Sequence, residues 1–301
     1  MSLQNANSTT CPAKTAPPTV REALAWARPL LVGTDSDGLD AQVLLAHVLT
    51  RDRAWILAHG EAPISPRHLD LYRQLVTRRA AGEPVAYLRG RAYWRDLELG
   101  VDPGVLIPRP ETEHIVDAVL ELPCRDPIRR IADIGTGSGA IAIALARALP
   151  AACVDAVDSS SEALRVAQGN VDRYRLSGQI SLHHGHLLDP LEGEPDVLVA
   201  NLPYLSSDQM ESLPRDVRFE PRVALDGGET GLDLYRSLIE SLHRRDWRPD
   251  LVFEMDPGQK LSMWRLLVGA WAGSEPIFLK DLTGRVRVAV CRPRDGSDVE
   301  R

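Results

Sequence analysis

A run of alternating glycines constrains this chain more than any other feature. The apolar segment Arg130 to Ile134 reads as a strand, and Asp133-Ile134-Gly135-Thr136-Gly137-Ser138-Gly139 leads from it into an apolar helix, Ala140 to Leu149. Glycine at every second position permits a tight turn and lets a ligand approach the backbone, because no Cβ intrudes. Asp158 closes the next expected strand, Cys153 to Asp158, 19 residues beyond Gly139. An acidic side chain there can accept hydrogen bonds from ribose hydroxyls. Loop and acid together point to a nucleoside ligand, and the G-x-G-x-G spacing is not the dinucleotide fingerprint.

Strand and helix signals alternate around this loop. Further strands are expected at Ile180 to His184, Val197 to Asn201, Leu251 to Glu254 and Val286 to Cys291. With helices of about 10 to 15 residues between them, the fold class is α/β, a doubly wound, Rossmann-like parallel sheet covered on both faces. Ahead of it, Thr19 to about Gly82 is helical: Val20, Leu24, Ala27 and Leu31 fall at steps of three and four, as do Leu39, Val43, Ala46 and Leu49. Ser65-Pro66 offers an N-cap and a first-turn proline to a helix carrying Leu69, Tyr72 and Leu75. Residues 83–108 set Val85, Tyr87, Tyr93, Trp94, Leu97 and Leu99 among glycines, which suits a hairpin. A helix from about Glu111 to Leu122 follows. The expected layout is a flexible leader at 1–18, a small helical domain at 19–82, a hairpin connector at 83–108 and a catalytic domain at 109–295.

Composition narrows the function. A net charge of -7 works against extended contact with a nucleic acid backbone, which needs clustered Lys and Arg. Cys11, Cys124, Cys153 and Cys291 form no Cys-x-x-Cys pair, so neither a zinc site nor a disulfide framework is indicated. His183, His184 and His186 lie close in sequence, yet neighbouring strand residues point to opposite faces, so no metal site is expected. The leader lacks a basic start followed by an apolar run, and no stretch approaches the roughly 20 apolar residues of a membrane span. The reading is a cytoplasmic monomer with reduced thiols, attached neither to membranes nor stably to nucleic acid.

Asp196-Val197-Leu198-Val199-Ala200 reads as a buried parallel strand, and Asn201-Leu202-Pro203-Tyr204 emerges at its carboxyl end, the edge where open α/β sheets carry ligand crevices. Amide and amino-purine nitrogens are poor nucleophiles because their lone pair is delocalised. The Asn201 side-chain carbonyl can accept from one N–H of such a nitrogen and the Leu202 backbone carbonyl from the other, orienting it for attack. Tyr204 can stack on the flat acceptor group. An ordinary turn after a strand would use the same residue types, since Asn and Pro are common turn formers.

The glycine loop resembles the first motif of the class I methyltransferases. Gly82-Glu83-Pro84-Val85-Ala86-Tyr87-Leu88, Val105-Leu106-Ile107-Pro108-Arg109-Pro110-Glu111-Thr112-Glu113 and, downstream, Phe219-Glu220-Pro221, Gly227-Gly228 and Gly231-Leu232-Asp233 resemble segments of the HemK/PrmC family. Those proteins are the release factor glutamine methyltransferases, and the resemblance runs from about Thr19 to Cys291. It implies S-adenosylmethionine as cofactor and peptide chain release factors as partners, with the glutamine of a Gly-Gly-Gln loop as substrate and the N-terminal helices helping to hold the partner. It also implies cofactor contacts from Asp133, Gly135, Thr136, Gly137, Ser138, Gly139, Asp158, His186, Leu187 and Asn201. The amide would be bound by Asn201, Leu202, Pro203 and Tyr204, with Asn201, Pro203 and Tyr204 carrying the catalytic role.

Three positions depart from the family pattern. Leu202 stands where the family has proline; its carbonyl survives the change, while rigidity is expected to fall. His186 stands where an acidic residue is usual, and Glu254-Met255-Asp256 replaces Glu-Ile-Gly. Arg109 and Glu111 suit either the cleft or a salt-bridged turn. Three other functions fit parts of the pattern: a ribosomal protein glutamine methyltransferase, an adenine amino-methyltransferase acting on nucleic acid, and a weakened relative that only binds partners.

Overall fold

A computed structural model describes residues 18–34, 36–123, 127–271 and 273–293. The leader, apart from Pro18, lies outside them, as do Cys11, Cys124 and the end of the expected catalytic domain at 294–295. The chain divides into two compact units between Leu88 and Arg89.

The first unit holds α1 (Val20–Ala27), α2 (Asp37–Leu49), α3 (Arg53–Ala58) and α4 (Pro66–Ala80), and α5 (Val85–Arg89) closes it. Three of these starts carry a side-chain cap, whereas Ser36 at the start of α2 donates its hydroxyl to Asp40 instead. Thr19 forms a capping box with Glu22, Asp52 accepts from the Trp55 N–H, and Ser65 accepts from the His68 N–H ahead of Pro66. The apolar stripes meet in one core containing Val20, Leu31, Leu44, Leu45, Ile56 and Tyr72. Two polar links cross it: the Tyr72 hydroxyl donates to the Ala41 carbonyl at 3.0 Å, and Arg79 pairs with Asp40 at 2.7 Å, both side chains buried.

The second unit opens with the antiparallel hairpin β1 (Arg91–Trp94) and β2 (Leu97–Gly100). The expected connector at 83–108 therefore begins as the short helix α5, and only its middle is a hairpin. There follow α6 (Glu113–Leu120), β3 (Arg130–Ile134), α7 (Ala140–Ala148), β4 (Cys153–Asp158), α8 (Ser161–Arg173), β5 (Ile180–His184) and β6 (Val197–Ala200). The chain then runs through α9 (Ser207–Glu211), α10 (Asp233–Arg245), β7 (Asp250–Glu254), α11 (Lys260–Ala270), β8 (Ile277–Lys280) and β9 (Val286–Cys291).

Seven strands form the central sheet in the order β5-β4-β3-β6-β7-β9-β8. The first five are parallel, but β9 runs antiparallel to both β7 and β8, so the sheet is mixed rather than wholly parallel. Only residues 281–285 join β8 to β9, too few for the crossover that a parallel pair requires. Alternation along each strand separates two cores. Ile131, Val154, Val197 and Val199 pack with α6 and α7 on one face, while Ala132, Leu198, Ala200 and Phe253 pack with α10 and α11 on the other.

Candidate active site

The chain leaves β3 toward β4 on one side and returns to β6 on the other, so the order of strands reverses between β3 and β6. Crevices in open α/β sheets form at the carboxyl ends of strands at such a reversal. Ile134 pairs with Ala200, and the glycine loop and the Asn201 motif thus leave the sheet side by side.

Gly135, Gly137 and Gly139 all have positive φ, at 76°, 55° and 81°, which favours glycine at each position. Asp158 accepts from the Gly137 N–H and the Ser160 N–H, both at 2.9 Å, so its carboxylate is half-buried and fixed with acceptor capacity to spare. Burial raises its pKa, and the backbone donors of Ser160, Gly137 and Ser159 oppose the rise. Asn170 on α8 braces the assembly, donating to the Ser138 carbonyl and bonding both backbone groups of Gly100.

A cavity of about 270 Å³ opens above the loop. Of the expected cofactor residues, Gly135, Thr136, Gly137, Ser138, Asp158, His186, Leu187 and Asn201 line it. Leu187 is buried and held at φ 48°, an uncommon conformation for a non-glycine residue. Gly139 and Asp133 do not line the cavity. Gly139 caps α7, and Asp133 is fully buried, accepting from the Thr136 hydroxyl at 2.7 Å and the Ala142 N–H at 3.2 Å. Its Oδ1 has no partner, and burial pushes the carboxyl up to about 7. When ionised, this desolvated carboxylate favours positive charge near it. Val105, Leu106 and Pro108, from the segment read only as a connector, also line the cavity.

A second cavity of about 310 Å³ adjoins the first, and Leu106, Asn201, Leu202, Pro203 and Ala224 line both. Tyr204 faces the second alone, together with Arg109, Leu213 and Val217. All four expected acceptor residues are thus brought together. The Asn201 amide donates to the Thr112 hydroxyl at 3.0 Å, which leaves its Oδ1 as the acceptor end.

Glu254, at the carboxyl end of β7, organises this loop from behind. Its Oε1 accepts from the Tyr204 hydroxyl at 3.2 Å, and its backbone carbonyl accepts from Tyr235 at 2.6 Å. The Tyr235 oxygen in turn accepts from the Leu202 N–H at 3.1 Å. Burial pushes the Glu254 carboxyl up to about 7, while the Thr112 and Tyr204 hydroxyls beside it hold back part of the rise. The Tyr204 hydroxyl is itself raised by burial and by the Glu254 charge. Leu202 is therefore less loose than its sequence suggests, because its N–H gains a partner that a proline could not use. Gly227 lies beneath the same loop: a Cβ there would stand 2.6 Å from the Pro203 carbonyl oxygen and 2.8 Å from the Tyr204 Cα.

Arg109 forms an ion pair with the buried carboxylate of Glu220 and lines the second cavity, while Glu111 sits 3.7 Å from Arg287. His183 bonds Asp155 and His184 bonds the Ser159 carbonyl. Among the described residues no three His, Cys, Asp or Glu side chains gather as metal ligands, and no helix is long and apolar enough to cross a membrane. Thr112 and Glu254 stood in segments compared with the family but without a site role, and Tyr235 gave no signal at all, since each reaches the loop from a distant segment.

Comparisons with known proteins bear on both units. Residues 22–90 match the family described as the PrmC N-terminal domain, and residues 117–214 match the methyltransferase small domain. A release factor glutamine methyltransferase from Moorella thermoacetica is 41% identical over 285 residues, covering 92% of this chain and 99% of the relative. Proteins of the same name from Gloeobacter violaceus and Bacillus subtilis are 41% and 36% identical, over 86% and 89% of this chain and 94% and 96% of their own. Among solved structures, the hMettl16 catalytic domain in complex with MAT2A 3'UTR hairpin 6 superposes with a TM-score of 0.54 at 17% identity. It covers 74% of this chain and 83% of that one, a likeness of fold.

Proposed function

As this chain belongs to the family of release factor glutamine methyltransferases, we propose that it methylates the side-chain amide nitrogen of the glutamine in the Gly-Gly-Gln motif of peptide chain release factors, with S-adenosylmethionine as donor. The observation that carries this reading is the meeting of two cavities at Asn201, Leu202 and Pro203. One is framed by the glycine loop and Asp158, the other by Tyr204 and apolar side chains, so donor and acceptor would converge on a single loop.

S-adenosylmethionine supplies, when bound, a methyl carbon made electrophilic by its sulfonium. The residues present fit it: glycines at positive φ let a nucleoside lie against the backbone, Asp158 accepts from ribose hydroxyls, and the unpartnered Asp133 Oδ1 favours a cation. His186 and Leu187 would flank the base. On the acceptor side, Asn201 Oδ1 and the Leu202 carbonyl accept from the two N–H groups of the amide. Positive charge would rise on the nitrogen as the methyl carbon passes to it from sulfur, which keeps the electron pair of the broken bond; these two oxygens would stabilise that charge until the nitrogen loses a proton to solvent. Tyr204, tethered by Glu254, offers its ring as a stacking surface. The rate then comes from orientation and electrostatics, without a covalent enzyme intermediate. The helical unit, as in the expected layout, would help hold the protein partner.

The test is incubation with labelled S-adenosylmethionine and, in separate reactions, release factor, ribosomal protein and DNA, followed by mass spectrometric mapping. Label on the release factor glutamine is the expected result. Label on DNA, or only on a ribosomal protein glutamine, would overturn the assignment.

A further inference from the structure

We infer that Tyr235 is a positioning residue for this reaction, its hydroxyl linking the Glu254 carbonyl to the Leu202 N–H and so fixing the direction of the acceptor carbonyl. The inference rests on the proposed function for its kinetic part. Tyr235 lines neither cavity, so it touches neither proposed ligand and acts only through the loop.

The geometry allows one arrangement of protons. The tyrosine has a single O–H, committed to the Glu254 carbonyl at 2.6 Å, and its oxygen therefore meets Leu202 as an acceptor at 3.1 Å. Tyr235 is fully buried, and its ring is set by Phe253, with centroids 5.1 Å apart and planes tilted by 44°. Leu202 is only 4% exposed, so an N–H left unpaired by removal of the hydroxyl would be a costly buried donor.

Few torsions are left to the loop once that bond is made. The peptide between Asn201 and Leu202 is planar, so holding its N–H holds the whole unit. Leu202 precedes Pro203, which confines its ψ to extended values. The remaining freedom is rotation about φ of Leu202, and this would drag its buried side chain off the glycine loop, where its Cδ2 stands 3.1 Å from the point a Gly135 Cβ would occupy. The Leu202 carbonyl, one of the two proposed amide acceptors, is oriented as a consequence. The same bond ties the acceptor loop after β6 to the end of the neighbouring strand β7.

A double-mutant cycle on the full-length protein tests this. Tyr235→Phe keeps the ring and deletes the hydroxyl; with release factor as substrate, kcat is expected to fall about tenfold or more while the donor KM stays within about twofold. Leu202→Pro has no N–H to strand, and its ring Cδ would point at the Tyr235 oxygen, so in that background Tyr235→Phe is expected to cost under about threefold or to restore activity. Equal falls in the two backgrounds would overturn the inference. A second readout needs neither substrate nor donor: amide hydrogen exchange at Leu202 should quicken by about tenfold or more in Tyr235→Phe, with Val199 in the adjoining strand unchanged. Unaltered exchange at Leu202 would also overturn it. A wild-type protein that methylates no glutamine sinks the proposed function instead, and Leu202 exchange then decides whether the hydroxyl holds the loop.

Discussion

Replacing Asp133 by Asn should make the protein more stable at neutral and alkaline pH while weakening its hold on the donor. The carboxyl is pushed from 3.8 up to about 7 because it is fully buried, with only the Thr136 hydroxyl, the Ala142 N–H and no partner at Oδ1 to offset the burial. A carboxyl raised in this way costs the fold nothing below the unfolded pKa, where both states are protonated. The cost grows as pH rises and is complete above the folded pKa. The shift corresponds to about 4 kcal/mol by pH 8. Asparagine keeps the oxygen that Thr136 and Ala142 use but leaves an amide N–H group where Oδ1 stood, a loss of about 1 to 3 kcal/mol. The variant should therefore gain about 1 to 3 kcal/mol at pH 8 and lose about 1 to 2 kcal/mol at pH 4, where the carboxyl costs little and the amide penalty remains. Native-state hydrogen exchange at Val199 and Val252 reads the stability of this unit apart from the helical one. In the same variant the dissociation constant for S-adenosylmethionine should rise by about tenfold, because a desolvated anion has been removed from near a cation. Parallel pH profiles for wild type and variant would refute the reasoning, as would unchanged donor binding.

Other perturbations separate the remaining parts of the site. Asn201→Ala should lower turnover by about a hundredfold or more with donor affinity nearly unchanged, measured by methylation assay and calorimetry; retained turnover would mean the acceptor site lies elsewhere. Thr112→Val frees the Asn201 amide to rotate, and kcat should drop by roughly tenfold without a change in melting temperature above a few degrees. Gly227→Ala has no room beneath Pro203 and should shift the loop, costing activity more than the same change at Gly178, where a Cβ meets nothing within 4 Å. In the helical unit, Asp40→Ala strands the buried Arg79 guanidinium and should cost about 3 to 5 kcal/mol, visible as faster exchange in α2 and α4.

The parts of the fold legible in the sequence were those with their own local signal. The strands at Arg130, Cys153, Ile180 and Val286 have the bounds their apolar runs suggested, and Thr19, Ser65 and the glycine loop announced helix starts. β8 gave only a weak signal: Ile277–Lys280 is a short edge strand with partly exposed side chains, its apolar run is just Ile277-Phe278-Leu279, and it shows no alternation. Strand direction was also hidden, since the antiparallel course of β9 follows from a five-residue connection rather than from its own composition. At the site, residues on the two loops could be read because each motif is contiguous. Thr112, Tyr235 and Glu254 could not, because they meet Asn201, Leu202 and Tyr204 across separations of 89, 33 and 50 residues. Leu202 shows the same limit: as a letter it marks lost rigidity, and only the fold reveals the hydroxyl that receives its N–H.

The tight seat of Gly227 under Pro203 and Tyr204 has a consequence for redesign. The acceptor loop is supported from below by backbone with no spare volume, so it cannot sink to admit a bulkier amide. The opposite wall of the second cavity is different, because Gln209, Ser212, Leu213 and Val217 come from α9 and the irregular chain after it, and each is at least partly open to solvent. Libraries meant to retarget the enzyme to other amide side chains belong on that wall, with the loop and its glycine left as an invariant floor.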